Sequence, residues 1–275
     1  MNTDTTTFLD TLFAPYTAGW MEFRSLRPDS GPDALWIDIG DWRGSRDTES
    51  AELETWMERE DKFRAGVFVG VLPRREPVQW GTGRRSDKSN VASVGWVWGE
   101  CDYKDHDPEE AMKLVTDCGP DMVVSSGGGL HMYKRMDHAE PMVVRLIEPF
   151  EKRLKTYQQR LRSDVVADCT RILRLPGSHN HKPGRNGALV KLITCADVAG
   201  DCAEVRAQPV AYIPDHARLR KVWEQVLCTG DDDGPAEEWA RMQVWYHNAK
   251  ADGRQRDAQA WMQKMKQWPG SGRKA

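Results

Sequence analysis

Residues 93–105 constrain this chain more than any other stretch. They read Ser-Val-Gly-Trp-Val-Trp-Gly-Glu-Cys-Asp-Tyr-Lys-Asp. Val94, Trp96 and Trp98 recur at every second position among small or apolar residues, which predicts a buried strand. That strand ends by delivering Glu100 and Asp102. Side chains at i and i+2 share one face of a strand, about 7 Å apart, while Cys101 projects to the other. Two like charges at the end of an apolar strand repel, so they need a shared proton, a basic partner or a divalent cation. Paired carboxylates offer the oxygen ligands that Mg²⁺ or Mn²⁺ takes. The plain alternative is a strand end that runs into an acidic turn.

The other elements follow from periodicity. Phe8, Leu9, Leu12 and Phe13 predict an amphipathic helix over residues 5–16, ended near Pro15. Residues 19–26 alternate as a strand, with Arg24 and Arg27 at its end. Residues 35–39 read as a loop or short strand, 50–62 as a helix and 65–72 as a strand. A polar loop to Asn90 follows, carrying Gly81, Gly83, Arg84, Arg85 and Lys88. It reads equally as a phosphate-contacting segment or a solvated hairpin loop. Residues 108–118 predict a helix with Pro108 at its start and acids in its first turn.

Residues 121–133 place Ser125-Ser126-Gly127-Gly128-Gly129 between two short strands, 122–124 and 130–133. Successive glycines let backbone N–H groups approach an anion closely. Gly128 and Ser126 are therefore candidate phosphate contacts, with His131 two residues beyond as a donor; a structural role is the alternative for the histidine. The spacing is neither a P-loop nor a dinucleotide fingerprint. Residues 141–162 predict a long helix with Val144, Ile147, Phe150 and Leu154 inward and a basic, solvated second half. Residues 165–175 read as a strand carrying Asp168, Arg171 and Arg174, followed by Pro176-Gly177-Ser178-His179-Asn180-His181-Lys182. A guanidinium fork suits phosphate oxygens, and an internal Asp–Arg ion pair is the alternative. Residues 188–194 read as a further strand. Beyond about residue 214 the chain turns helical: 215–228, 235–250 and 255–268, with 229–234 as a linker.

The chain has 275 residues and a net charge of −3, so any nucleic-acid surface is a local basic patch rather than a property of the whole. No apolar run approaches the roughly 18 residues that span a bilayer, and the first residues do not read as a secretory signal. Six cysteines without a Cys-x-x-Cys pair make zinc unexpected and fit a reduced, cytoplasmic setting. The letters His179-Asn180-His181 do not make an HNH nuclease, whose site is spread over a ββα unit.

Three stretches now stand in order: Glu100-Cys-Asp102, Ser126-Gly-Gly-Gly-Leu-His131-Met-Tyr, and Asp168-Cys-Thr-Arg171-Ile-Leu-Arg174-Leu-Pro-Gly-Ser-His-Asn180-His-Lys182. Together, over about residues 65–195, they resemble the archaeo-eukaryotic primase superfamily (AEP), specifically the primase-polymerases (PrimPol) of phages and plasmids. The third looks like that group's Asp-x-x-Arg-hydrophobic-x-Arg-x-Pro-Gly-Ser/Thr-x-Asn-x-Lys signature. Glu-x-Asp departs from the Asp-x-Asp or Asp-x-Glu usual in the first motif.

The resemblance implies an α+β fold, an RRM-like antiparallel or mixed sheet core flanked by helices. It implies a catalytic domain over residues 1–213 and a small helical C-terminal domain over 214–275. It implies two-metal nucleotidyl transfer with Mg²⁺ or Mn²⁺, Glu100, Asp102 and Asp168 holding the ions and Asp164 in reserve. Ser126, Gly128 and His131 would then contact the triphosphate, Arg171, Arg174 and Lys182 would face phosphates, and Asn180 would order the turn. Expected partners are single-stranded DNA template, dNTP or NTP and a separate replicative helicase, with no membrane, in the cytoplasm of a bacterial or archaeal host. A metal-dependent nuclease and a non-catalytic replication-initiation protein are the alternatives weighed. An intact carboxylate set argues against the second.

Overall fold

The structure, a computed structural model, describes residues 1–28, 31–78, 87–160, 163, 165–193, 242 and 255–267. It opens with α1 (Thr3–Phe13), started by the Asn2 side chain, which accepts from the Asp4 backbone N–H at 2.8 Å. That bond supplies a partner the first helical turn lacks. β1 (Trp20–Leu26), β2 (Asp33–Asp38), α2 (Ile39–Gly44), α3 (Arg46–Lys62) and β3 (Gly66–Gly70) follow. With the later β7 (Ile172–Arg174), the first three strands form an antiparallel sheet in the order β2-β1-β3-β7.

The second sheet holds the acidic strand. Its members come as β4 (Ser93–Asp102), β5 (Met122–Ser125), β6 (Gly129–Pro141) and, after a short ladder of β8 (His179–Asn180) and β9 (Ala188–Leu189), β10 (Lys191–Ile193). Their order is β10-β5-β6-β4, again antiparallel throughout. α4 (Pro108–Cys118) connects β4 to β5, α5 (Val144–Arg160) follows β6, and α6 (Gln255–Lys266) lies near the C-terminus. Residues 73–75 tie the sheets together. The Arg74 backbone exchanges hydrogen bonds with Trp20 at 2.8 and 2.9 Å, and the Pro73 carbonyl accepts from Ala92 at 2.9 Å.

The core explains why α1 is where it is. Phe8, Leu9, Leu12 and Phe13 are buried, and the Phe8 ring meets Tyr133 of β6 edge-on at 5.5 Å. Trp96 of β4 is buried and needs a partner for its indole N–H; it donates to the Leu12 carbonyl at 2.7 Å. Beside it β4 is irregular between Val94 and Trp96, and the Gly95 N–H donates to the Tyr16 hydroxyl at 3.0 Å. A Cβ at Gly95 would meet the Tyr16 ring at 3.2 Å, so glycine lets that ring lie on the strand. No helix among the described residues is long and apolar enough to cross a membrane.

Most predicted elements appear with shifted ends, and three readings need correction. Pro141 closes β6 rather than opening the helix, and Val144, at the start of α5, is exposed while Ile147, Phe150 and Leu154 are buried. Residues 165–171 are not strand; only Ile172–Arg174 pairs. The reason is Asp168, whose carboxylate accepts from the Thr170 N–H at 2.9 Å and its hydroxyl at 2.8 Å, turning the chain before β7. The 188–194 strand is split in two by Val190, whose N–H donates to the Ser178 carbonyl at 2.8 Å instead of a ladder partner. Residues 35–39 resolve as strand β2 running into α2. The predicted helices over 215–228 and, but for the helical and buried Met242, 235–250, the 229–234 linker, Asp164 and the basic loop residues Gly81, Gly83, Arg84 and Arg85 lie outside the described residues.

Candidate active site

β4 and β6 build the site by register. Glu100 pairs with His131 and Asp102 with Gly129, which sets the acid pair beside the glycine turn on adjacent strands. Cys101 is fully buried on the other face, while the Glu100 and Asp102 side chains are half-buried. The approach at Asp102 is close: a Cβ on Gly129 would lie 2.3 Å from the Cys101 carbonyl and 2.8 Å from the Asp102 Cα. Only glycine fits there. The turn is closed by the Ser126 N–H and hydroxyl, both donating to the Gly129 carbonyl, at 2.9 and 3.1 Å. Ser126 is therefore buried and engaged in shaping the turn.

The positive side of the site comes from the third motif. Arg171 clamps Glu100 with its Nε at 2.9 Å and a second, shorter bond from Nη2. His131 Nε2 stands 3.9 Å from the other Glu100 oxygen, and its Nδ1 is buried without a hydrogen-bond partner. Burial pushes the His131 pKa below its usual 6.5; the Glu100 charge opposes this and the Arg174 and Arg171 charges reinforce it. Arg174 is buried, stacks on Phe68 at 4.8 Å, and has an Nη1 with no partner. Burial and then the neighbouring Arg185 push its pKa down. Arg185 leans on the glycine turn, since a Cβ at Gly128 would lie 2.9 Å from its Nε. Two arginines that repel each other beside a glycine turn and an unbonded histidine nitrogen make an anion-attracting corner.

Sequence reasoning missed Arg185. Its signal, a basic residue in a Gly-containing turn a few residues past Lys182, is too common to single out. Asn180 reaches across from β8: its Nδ2 donates to the Ser126 carbonyl at 2.7 Å, and its Oδ1 accepts from the Lys182 N–H at 3.2 Å. The Lys182 side chain is exposed.

The three carboxylates are not gathered as closely. Among the described residues, two groups bring three ligand-type atoms within 4.8 Å of one another: Asp61, His179 and His181, and Glu151, Asp168 and Cys169. Glu100, Asp102 and Asp168 do not form a third. Glu100 is turned to Arg171, Asp102 has Lys104 at 3.3 Å, and Asp168 is tied to Thr170. As donors, Glu100 and Asp102 fit a hard divalent cation, being two half-open carboxylates on one strand face. Arg171 supplies the compensating charge there.

No protein-family model and no curated protein sequence matches the chain. Solved structures do. The AEP domain of the cyanophage S-2L primase-polymerase aligns with a TM-score of 0.50 at 14% identity, covering 74% of this chain and 96% of that one. The catalytic domain of the primase RepB', in complex with initiator DNA, aligns at 0.45 and 13% identity, covering 83% of this chain and 100% of that one. RepB' itself aligns at 0.44 and 12% identity, over 95% and 92%. The RepB' likenesses are looser and add nothing to the fold. In its α+β architecture of antiparallel sheet and flanking helices, the chain has the fold of the archaeo-eukaryotic primase-polymerase domain.

Proposed function

We propose that this chain is a template-dependent nucleotidyltransferase that synthesises primers or extends DNA on single-stranded template during replication of a mobile element. The observation that carries the reading is the β4–β6 register, which sets Glu100 and Asp102 opposite His131 and Gly129. An acid pair thereby adjoins a turn and arginines suited to phosphate. Residues 1–213 would be the catalytic domain and 214–275 a helical domain alongside it.

Glu100, Asp102 and, after release from Thr170, Asp168 would hold Mg²⁺ or Mn²⁺. Such ions supply activation of the attacking oxygen and charge neutralisation on the leaving pyrophosphate. The chain's own residues do the rest. The 3′-hydroxyl of an initiating nucleotide or a primer end loses its proton to solvent and forms a bond to the α-phosphorus as the bond to the pyrophosphate oxygen breaks. His131 donates to the triphosphate. Arg174, Arg185 and the Gly127–Gly129 backbone are fixed donors for charge that develops on phosphate oxygens. Arg171 holds Glu100, and would turn to phosphate if Glu100 served as a ligand. Lys182 contacts template or triphosphate phosphates from the exposed edge.

The test is synthesis without primer on single-stranded DNA, with labelled dNTP or NTP and Mn²⁺. Wild type is expected to yield short products. Asp102→Ala should lower the rate by at least about 10³-fold with an unchanged circular-dichroism melt. An Asp102→Ala protein that polymerises at the wild-type rate ends this reading. Metal-dependent cleavage of the template with no nucleotide incorporation replaces it with a nuclease.

A further inference from the structure

The segment His179-Asn180-His181 is extended, and β8 pairs His179 with Leu189 and Asn180 with Ala188. Alternation sends the two histidines to one side and Asn180 to the other. Asn180 faces the glycine turn, as its bond to the Ser126 carbonyl shows. The histidines face the last turn of α3. There His179 Nδ1 lies 3.0 Å, and His181 Nε2 2.8 Å, from the same Asp61 Oδ1.

Two imidazoles aimed at one carboxylate oxygen are a ligand set as well as a hydrogen-bond cluster. The three atoms lie within 4.8 Å of one another. A tetrahedral ion with bonds of about 2.0–2.1 Å needs ligand atoms about 3.3 Å apart, so the two N···O spacings need to open by only about half an ångström. Among the described residues no lysine or arginine nitrogen pairs with the Asp61 carboxylate. Burial works against its charge, yet the hydrogen bonds from His181 and His179 hold its pKa below the usual carboxylate range. A cavity of about 160 Å³ adjoins the cluster, lined by Asp61, His179, Glu54 and Glu58 among others. It leaves room for a fourth ligand, water or Glu58.

We propose that Asp61, His179 and His181 form a binding site for a divalent transition ion of the zinc class, clamping the end of α3 to β8. Two nitrogens and one oxygen suit Zn²⁺ and disfavour Mg²⁺, which takes oxygen ligands and keeps its waters. The site is therefore chemically separate from the Glu100–Asp102 pair. Since Asn180 lies between the two ligands and braces the Ser126 carbonyl, the ion stiffens the strand behind the glycine turn. That consequence alone rests on the nucleotide-transfer reading.

The experiment is calorimetric titration of untagged, chelator-stripped full-length protein with Zn²⁺, repeated with Co²⁺ under visible absorption. Wild type should bind one more equivalent of Zn²⁺ than His179→Ala/His181→Ala, and Zn²⁺ should raise the melting temperature of wild type only. His181→Gln guards against misfolding: it keeps an N–H donor for Asp61, so a mere hydrogen-bond clamp survives while Zn²⁺ affinity falls by at least about 100-fold. Equal stoichiometry and affinity in wild type and both variants overturns the site, as does a wild type that binds no Zn²⁺. Neither titration contains nucleotide or template, so the site fails or stands independently of the synthesis assay.

Discussion

Two glutamate–arginine pairs in this protein have the same chemistry and opposite settings. Glu22 and Arg74 are both fully buried, at 2.7 Å, with Arg24 on the other Glu22 oxygen. Glu100 and Arg171 keep 20% and 31% of their side chains exposed. The first pair is structural. Arg74 also donates to the Cys169 and Thr170 carbonyls, at 3.4 and 3.0 Å, and so pins the loop that carries Asp168 and Arg171. The second pair lies at the open end of β4, where either partner has solvent to turn to. A buried charge with three bonds cannot trade partners without stranding the other, whereas a half-open one can. Exposure, not residue type, separates the ion pair that holds the loop from the one that can exchange partners.

That contrast breaks most sharply at Arg74. Arg74→Ala leaves the buried Glu22 with Arg24 alone and the Cys169 and Thr170 carbonyls without their donor, and should cost about 3–5 kcal/mol, read as a lowered urea midpoint. A loss under about 1 kcal/mol would put the two pairs in one class. Next is the close approach that joins the acid pair to the turn. Gly129→Ala must push β6 away from the Cys101 carbonyl, and should cost about 1–3 kcal/mol together with the proposed primer synthesis. Unchanged activity would mean that the β4–β6 spacing at Asp102 does not matter to the site.

Arg171→Ala should cost less than about 1 kcal/mol of stability, as half-exposed pairs do, yet lower nucleotide incorporation by about 10- to 100-fold. A large stability loss with normal synthesis would make Arg171 a second Arg74. The smallest effect concerns acid pH. Burial pushes the Glu60 carboxyl up, but hydrogen bonds from Arg27 and Arg59 help outweigh it and hold its pKa below the usual 4.5. Its contribution is full above about 4.5 and is lost as pH falls through the lower folded value. Urea midpoints from pH 6 to 3 should therefore fall less steeply in Glu60→Gln than in wild type, and parallel curves would remove Glu60 from the acid limb.

Much of this was readable from residue order. The alternation of Val94, Trp96 and Trp98 announced β4, Pro108 and its acids announced α4 to the residue, and the spacing of Phe8, Leu9, Leu12 and Phe13 announced α1. Each is a local pattern whose period is set by the element itself. Residues 165–171 show where such reasoning stops. Their valines favour a strand, but the Asp168 side chain bonds to its own following backbone and bends the chain, a competition that composition does not decide.

From the sequence alone came the ordered motifs, the strand that presents two carboxylates on one face, and the glycines that allow a tight turn, because these depend on neighbours along the chain. Only the tertiary structure decided which charge answers which. Glu100 meets Arg171 71 positions away, Arg185 leans on Gly128, and Asp61 receives two histidines from more than 100 positions on. Ion pairs and ligand sets are fixed by distance in space, and that distance is set by how the strands pair and the helices pack.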